Sequence, residues 1–284
     1  MRGWLGLMVC VLLGASAASA AEPLRVMSFN IRLDNRGDGE NAWPHRKEWV
    51  AEILREQKPA LFGLQEALPH QITDLAERLK DYAWFGAGRD DGKQKGEAVP
   101  VFYRRERFEV LEQGNFWLSE TPDVPGSKSW DTSITRMVTW LKLKDKTNDQ
   151  VLLFANTHFD HQGVKARVES ARQVLATLPK LAGDAPVVLT GDFNTGNKSE
   201  PYNVLTGKGA AATWLLTDAR TISKTKPEGP NSTWNGFRKI QPEQQIDFIF
   251  VHGLSVARHA ILTDEKDGKF PSDHLPLVAD LLFP

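Results

Sequence analysis

The 284-residue sequence holds a single cysteine, Cys10, and it lies inside an N-terminal apolar stretch. Once that stretch is removed no disulfide can form, and the rest of the chain must hold together by its core alone. Charge of one sign is also lacking. Thirty-five basic residues stand against 36 acidic ones, a net charge of −1. A protein that grips long nucleic acid unaided needs a basic excess, because phosphate neutralisation dominates that affinity; this balance favours a small anionic substrate instead. Apolar runs long enough to cross a bilayer are missing as well, since the run from Trp4 to Leu13 is too short. No repeat, low-complexity tract or linker divides the chain.

That N-terminal stretch, "MRGWLGLMVCVLLGASAASAAEP", has one positive charge at Arg2, an apolar segment and then small residues before Ala21. It reads as a signal peptide cleaved after Ala20. The expected organisation is therefore a signal peptide over residues 1–20 and one catalytic domain over 21–284. The expected location is secreted or periplasmic, with no stable membrane insertion and a monomeric state.

Strand-like runs recur at 23–31, 60–66, 98–104, 107–118, 136–144, 151–159, 186–194, 246–253, 256–262 and 275–283. Helical periodicity marks 45–57, 69–79 and 165–181; in the first, Trp49, Ile53 and Leu54 share a face with charges opposite. Many strands with interspersed helices and Gly-, Pro- and Asn-rich turns predict an α/β sandwich.

Several apolar runs end in a residue whose polar head is costly to bury. These are Asn30 after "RVMSF", Glu66 after "LFGLQ", His158 after "LFANT", Asp192 and Asn194 around "GDFN", and Asp247 opening "DFIFV". Asp273 and His274 in "PSDHLPL" complete the set. Each alone is an ordinary polar strand end. Together, four carboxylates brought to one rim would repel unless a cation sits among them. Oxygen donors without thiolates select a hard cation, Mg²⁺ or Mn²⁺, suited to clamping a phosphoryl oxygen.

The segments "MSFNIR", "LFGLQE", "NTHFDH", "LTGDFN", "IDFIFV" and "PSDHLPL", in that order, resemble the endonuclease/exonuclease/phosphatase superfamily. The resemblance runs from Ser28 to Leu277. It implies a four-layered α/β sandwich of the deoxyribonuclease I-like type: two mainly antiparallel sheets packed face to face, with helices outside. It further implies that Glu66 is the main metal ligand, with Asn30 and Asp273 helping to hold the metal. Asp192 would position or deprotonate the attacking water, and Asn194 would orient water or phosphate. His274 would contact phosphate, with Asp247 fixing its tautomer and favouring its protonated form. His158 would bind a phosphoryl oxygen or assist the leaving group; a rival assignment makes His158 and His274 the acid–base pair. Arg32, Tyr103 and Arg136 are further candidates for substrate or phosphate contact, with Asp160 and His161 behind Arg136.

The expected function is an exported, Mg²⁺-dependent phosphoesterase that hydrolyses phosphodiester or phosphomonoester bonds by direct attack of water. Its substrate would be a phosphorylated small molecule or a nucleic acid fragment. The alternatives are a secreted nuclease, a lipid phosphodiesterase with the stretch 114–130 as a membrane-touching hairpin, or a non-catalytic binding protein of the same fold. Ala67-Leu68-Pro69 follows "LQE" where deoxyribonuclease I-like members carry a basic residue that enters the DNA minor groove, which weakens the duplex-DNA reading.

Overall fold

The computed structural model describes residues 22–207 and 214–284. The signal-peptide reading of residues 1–20, and Cys10 with it, lies outside the described residues. Twelve strands form two six-stranded sheets. They are β1 (Leu24–Asn30), β2 (Leu61–Gln65), β3 (Tyr82–Phe85), β4 (Val101–Arg104), β5 (Phe108–Trp117), β6 (Met137–Asp145), β7 (Val151–His158), β8 (Val187–Asp192), β9 (Thr217–Asp218), β10 (Asp247–His252), β11 (Ser255–Ile261) and β12 (Leu277–Leu282). The helices are α1 (Trp43–Gln57), α2 (Pro69–Arg78), α3 (Val164–Ala182) and α4 (Glu200–Thr206). Ten strands and three helices fall where the sequence patterns place them. The short strands β3 and β9 and the helix α4 do not show in those patterns.

The first sheet has the order β11-β12-β1-β2-β4-β3 and the second β5-β6-β7-β8-β10-β9. In each, only the two central strands are parallel: β1 with β2, crossed over by α1, and β7 with β8, crossed over by α3. All other neighbours are antiparallel. The two sheets therefore share one topology.

Alternation along the strands produces four layers. Inward residues such as Val26, Leu61, Phe154, Val188, Ile249 and Leu277 meet in one core between the sheets. Outward residues of the first sheet, including Met27, Phe29 and Phe62, pack under Val50, Ile53 and Leu54 of α1 and Ile72 and Leu75 of α2. Outward residues of the second, including Leu153, Leu189 and Phe250, pack under Ala171, Val174 and Leu178 of α3. Helix α1 turns a charge inward that the sequence reading set outside: Arg46 is buried with Val50 and Ile53, whereas Trp49 is only partly buried.

Towards the C-terminal ends of the central strands the inward face changes from apolar to polar. Ser28, Gln65, Asn156 and Thr190 form a belt that is fully buried. Gln65 Nε2 donates to Asn156 Oδ1 at 2.7 Å and to Ser28 Oγ at 3.2 Å. Thr190 Oγ1 donates to Asn156 Oδ1 at 3.0 Å, and Asn156 Nδ2 donates to the carbonyls of Leu64 and Pro100 at 2.7 and 3.1 Å. Gly63 leaves room for this: a Cβ there would stand 2.3 Å from Asn156 Cγ. The belt pairs most of its own polar groups, Gln65 Oε1 being the exception, and forms the floor of the layer above it.

Candidate active site

One step beyond the belt, the same alternation brings inward Asn30 from β1, His158 from β7, Asp192 from β8 and Asp247 from β10. His158 and Asp192 lie side by side in parallel register, and Asp247 lies opposite Asp192 across the antiparallel pair. Glu66 follows directly on β2, and its φ of 60° turns the chain as it leaves the sheet. Arg32 and Asn194 have φ of 56° and 49°. In both cases a side chain two residues back accepts from their backbone N–H: Asn30 Oδ1 at 3.0 Å and Asp192 Oδ1 at 2.9 Å. Left-handed backbone at residues other than glycine is unfavourable and persists where surrounding contacts over-determine it, which is common at functional sites.

Asp192 is the hub. Its Oδ2 accepts from Asn30 Nδ2 at 3.0 Å and lies 3.3 Å from His158 Nε2 and 3.7 Å from His274 Nε2. Burial pushes its carboxyl up, to about 7, with the neighbouring Asp247 adding to the effect. Asn30 Nδ2 also donates to Glu66 Oε1 at 3.0 Å, so one amide sets both carboxylates. His274 Nδ1 pairs with Asp247 Oδ2 at 2.8 Å. Burial opposes charge on this imidazole, but Asp247 and Asp192 outweigh it and raise its pKa well above the ordinary value. His158 goes the other way: burial lowers it, helped by Arg136 and Arg89. Asn194 Nδ2 donates to the Phe159 carbonyl at 3.0 Å, which fixes the amide, and to His158 Nε2 at 2.9 Å. The surroundings thus disfavour charge on His158 and favour it on His274, and the Asn194 amide matches a His158 tautomer protonated on Nδ1, an atom without a partner in the protein. The two histidines are not interchangeable.

Asp273 and His274 lie in the bends ahead of β12, outside regular strand geometry, and point to different partners. Asp273 faces Arg32 at 3.9 Å, and Arg32 lies 3.7 Å from Glu66. Ser272 Oγ donates to the Asn30 carbonyl at 2.7 Å, and Asn235 Nδ2 donates to the Ser272 carbonyl at 3.0 Å. Buried Arg46 ties the two loops together: Nη1 donates to the carbonyls of Ile31 and Pro271, each at 2.8 Å, and Nη2 to that of Arg32 at 3.2 Å.

These residues open into a cleft of about 400 Å³ whose walls include Arg32, Glu97, Arg136, His161 and Trp234. Arg136 is buried; its Nη2 lies 3.2 Å from His161 Nδ1 and its Nε 3.8 Å from Asp160, while Nε and Nη1 make no hydrogen bond within the protein. The nearest carboxylate, Asp160, is already engaged by Ser133, Thr132, Gln162 and Gly163. A larger cavity of about 620 Å³ lies at the opposite end of the sandwich, where Arg25 pairs with Asp280 and Arg107 with Asp145.

The structure does not bring Tyr103 to this site. Tyr103 pairs with Leu61 at the start of β2, and in that antiparallel arrangement β4 reaches the cleft with the residues before Val101. Trp43 is a packing anchor: it is buried and donates to Asp74 Oδ2 at 2.8 Å. Trp234, bridged to His274, lines the cleft. The stretch 114–130 turns Trp117 inward, where its Nε1 donates to the Arg89 carbonyl. Arg46, Arg89 and Glu97 escaped the sequence reading, because each stands in a charged stretch that looks like solvated surface.

The donor set fits a hard divalent cation. Glu66, His158 and Asp192 offer ligand atoms within 4.8 Å of one another, as do Asp192, Asp247 and His274. Asp247 Oδ1 is buried without a partner, and burial raises the pKa of Asp273 as well as that of Asp192. Carboxylates crowded and desolvated in this way are stabilised by a cation held among them.

Comparison with known proteins places this geometry. The model of the Endonuclease/Exonuclease/phosphatase family matches residues 27–274. The structure of an endonuclease/exonuclease/phosphatase from Bacteroides vulgatus superposes with a TM-score of 0.87 at 37% identity, covering 92% of this chain and 99% of that one. The mannosyl-6-phosphatase of Bacteroides thetaiotaomicron VPI-5482 superposes with a TM-score of 0.86, also at 37% identity, covering 92% and 100%. Nocturnin of Drosophila melanogaster is 23% identical over 313 residues, 93% of this chain and 47% of that protein. The chain spans only 30% to 47% of the length of three curated relatives it matches.

Proposed function

This chain belongs to the endonuclease/exonuclease/phosphatase family of metal-dependent phosphoric ester hydrolases, and from that premise we propose an exported Mg²⁺-dependent phosphomonoesterase for small sugar phosphates. The observation that carries the reading is the convergence of Asn30, Glu66, His158, Asp192, Asp247 and His274 from six strand ends beside Arg136, whose Nε and Nη1 make no hydrogen bond within the protein. The cleft volume suits one small molecule. The likeness at 37% identity to a mannosyl-6-phosphatase supports a sugar phosphate over a nucleic acid. Export rests on the character of residues 1–20.

Glu66, Asp273 and the Asn30 amide oxygen would hold the metal, which supplies charge neutralisation for the phosphoryl oxygens and the leaving oxygen. The chain's own groups do the rest. Asp192, held by Asn30 and the Asn194 backbone, orients a water and takes its proton as the water oxygen bonds to phosphorus. The phosphorus–ester oxygen bond breaks, its electron pair leaves on the ester oxygen, and that oxygen takes a proton from solvent while Asp192 returns its own to solvent. The imidazolium of His274, maintained by Asp247, and the guanidinium of Arg136 face the charge on the phosphoryl oxygens. Among the described residues no serine, threonine or cysteine lines the cleft, which favours direct attack by water over a covalent intermediate on such a side chain.

The test is a panel of hexose 6-phosphates, p-nitrophenyl phosphate, bis-p-nitrophenyl phosphate and plasmid DNA, each with Mg²⁺, Mn²⁺ or EDTA. Monoesters are expected to be hydrolysed fastest, activity to vanish in EDTA, and Asp192→Asn to lower kcat by about 10²–10⁴. Faster cleavage of the diester or of DNA, or activity surviving EDTA, refutes the proposal.

A further inference from the structure

We propose that Glu97, fixed by Arg89, is the specificity determinant that reads the hydroxyl groups of the leaving sugar; this rests on the phosphomonoesterase reading above. Glu97 precedes Ala98, which bridges to Ala67, so its side chain enters the wall next to Glu66. It lines the cleft, and also a recess of about 10 Å³ between Glu66, Arg89, Arg136 and His158, room for a single water.

Its placement is enforced. Arg89 donates to both carboxylate oxygens, at 2.6 and 2.9 Å. The loop carrying the pair is laced by Arg89 N–H to the Glu97 carbonyl at 3.0 Å, Gly88 N–H to that of Lys93 at 3.0 Å and Asp90 N–H to that of Lys95 at 3.1 Å. From outside, Trp117 Nε1 donates to the Arg89 carbonyl at 2.6 Å.

A fixed carboxylate is the wrong charge for a cleft that binds phosphate. It repels Glu66 on one side and any anionic ligand on the other, so phosphate binding alone does not account for it. Burial pushes the carboxyl of Glu97 up and Arg89 opposes this; with Arg89 on both oxygens, Glu97 is poorly placed to join Glu66 on a metal. What remains is acceptor capacity, since a carboxylate offers about four lone-pair sites and Arg89 fills two. Donors that bring no negative charge with them are hydroxyls. Trp234 on the wall near His274 offers a flat apolar face for the ring of such a sugar. The same charge disfavours any substrate that would place a second phosphate here. A site built to hydrogen-bond a hydroxyl discriminates strongly against an analogue lacking it, because its buried polar groups are then left unmatched.

The test is Glu97→Gln, which keeps shape and bulk, assayed on hexose 6-phosphates and on p-nitrophenyl phosphate, an ester without hydroxyls. The readout is the ratio of kcat/KM for the two substrates. That ratio is expected to fall about 10–100-fold, mostly through KM for the sugar. A hexose bisphosphate should gain relative to the monophosphate. An unchanged ratio, with both substrates falling together or neither falling, overturns the role given to Glu97 while leaving the phosphomonoesterase reading intact. A wild-type protein that cleaves no monoester overturns both. Residual p-nitrophenyl phosphate hydrolysis and an unshifted Tm show that the variant is folded; Glu97→Asp, which keeps the charge but shortens the reach, serves as the second variant and should restore part of the ratio.

Discussion

Arg46→Met tests how the fold and the site are coupled. Arg46 is 2% exposed and holds the carbonyls of Ile31 and Pro271, both buried, together with those of Arg32 and Asn41. Methionine fills most of the volume but donates nothing. Two buried carbonyls are then stranded, at about 1–3 kcal/mol each. Part of this is offset, because burying a guanidinium is itself unfavourable: burial drives the pKa of Arg46 down to about 10. A net loss of about 3 kcal/mol follows. For a domain of this size Tm moves roughly 2–4 °C per kcal/mol, so a drop of roughly 6–12 °C is expected in calorimetry. Arg46→Lys should fall between, since one ammonium cannot span four carbonyls. Well below Tm, kcat should also fall, because the tethered carbonyls flank Asn30 and Arg32 on one loop and Asp273 on the other. A Tm within about 2 °C of wild type, together with an unchanged kcat, would refute the clamp.

Three further outcomes are expected. Activity that needs the His274 imidazolium is lost as pH rises through its raised pKa; Asp247→Asn removes the main raising influence, so the basic limb of the kcat/KM profile should move to lower pH. His259, buried with neither ring nitrogen paired, has its pKa driven down to about 3 by burial and by Arg220 and Arg258. Between there and its ordinary value the unfolded chain binds a proton that the folded chain refuses, so stability falls as pH drops through about 6.5 towards 3. His259→Phe should remove roughly 2–3 kcal/mol of that loss at about pH 4.5, read from urea midpoints; equal pH slopes in the two proteins would refute it. Asn156→Leu removes the amide donor to the Leu64 and Pro100 carbonyls and the acceptor of Gln65 and Thr190, and should cost about 2–4 kcal/mol in the same assay, a loss under about 1 kcal/mol counting against the belt.

The strand ends were legible because they break a pattern. In "VMSFN", "FGLQE", "FANTH" and "VLTGD" the inward positions turn polar just where each apolar run stops, a change visible without coordinates. That Asp273 and His274 leave strand geometry follows from adjacency, since neighbours in a strand face opposite ways. Charges used inside the protein were not legible. Arg46 in "PHRKEW", Arg89 in "GRDDG" and Glu97 in "QKGEAV" stand among other charges, and only tertiary contacts separate a buried clamp or a cleft wall from a solvated face. Tyr103 shows the converse error: an aromatic near a chemistry-bearing strand suggests contact, but the antiparallel register of β2 and β4 carries it to the far end.

The shared topology of the two sheets explains why the site is compact and yet chemically divided. Equivalent positions place Asn30 and Glu66 at the exits of β1 and β2, and His158 and Asp192 at the exits of β7 and β8. Both halves use the same turn, in which Asn30 accepts from the Arg32 N–H and Asp192 from the Asn194 N–H. One scaffold element thus delivers oxygen donors suited to a cation from the first half, and a base with a neutral imidazole from the second. The antiparallel neighbours extend the correspondence: His274 stands ahead of β12 as Arg136 stands ahead of β6, and Asp247 opens β10 much as Glu97 precedes β4. Each side therefore sets a cationic side chain towards the cleft with a carboxylate beside it. The pairs differ in what the carboxylate does. Asp247 bonds its own cation, His274, and favours its charged form, whereas Glu97 bonds Arg89 and leaves Nε and Nη1 of Arg136 without a hydrogen bond within the protein. The near-symmetric frame surrounds the cleft, and its departure from symmetry lies at Glu97, where the proposed selection of the leaving group would act.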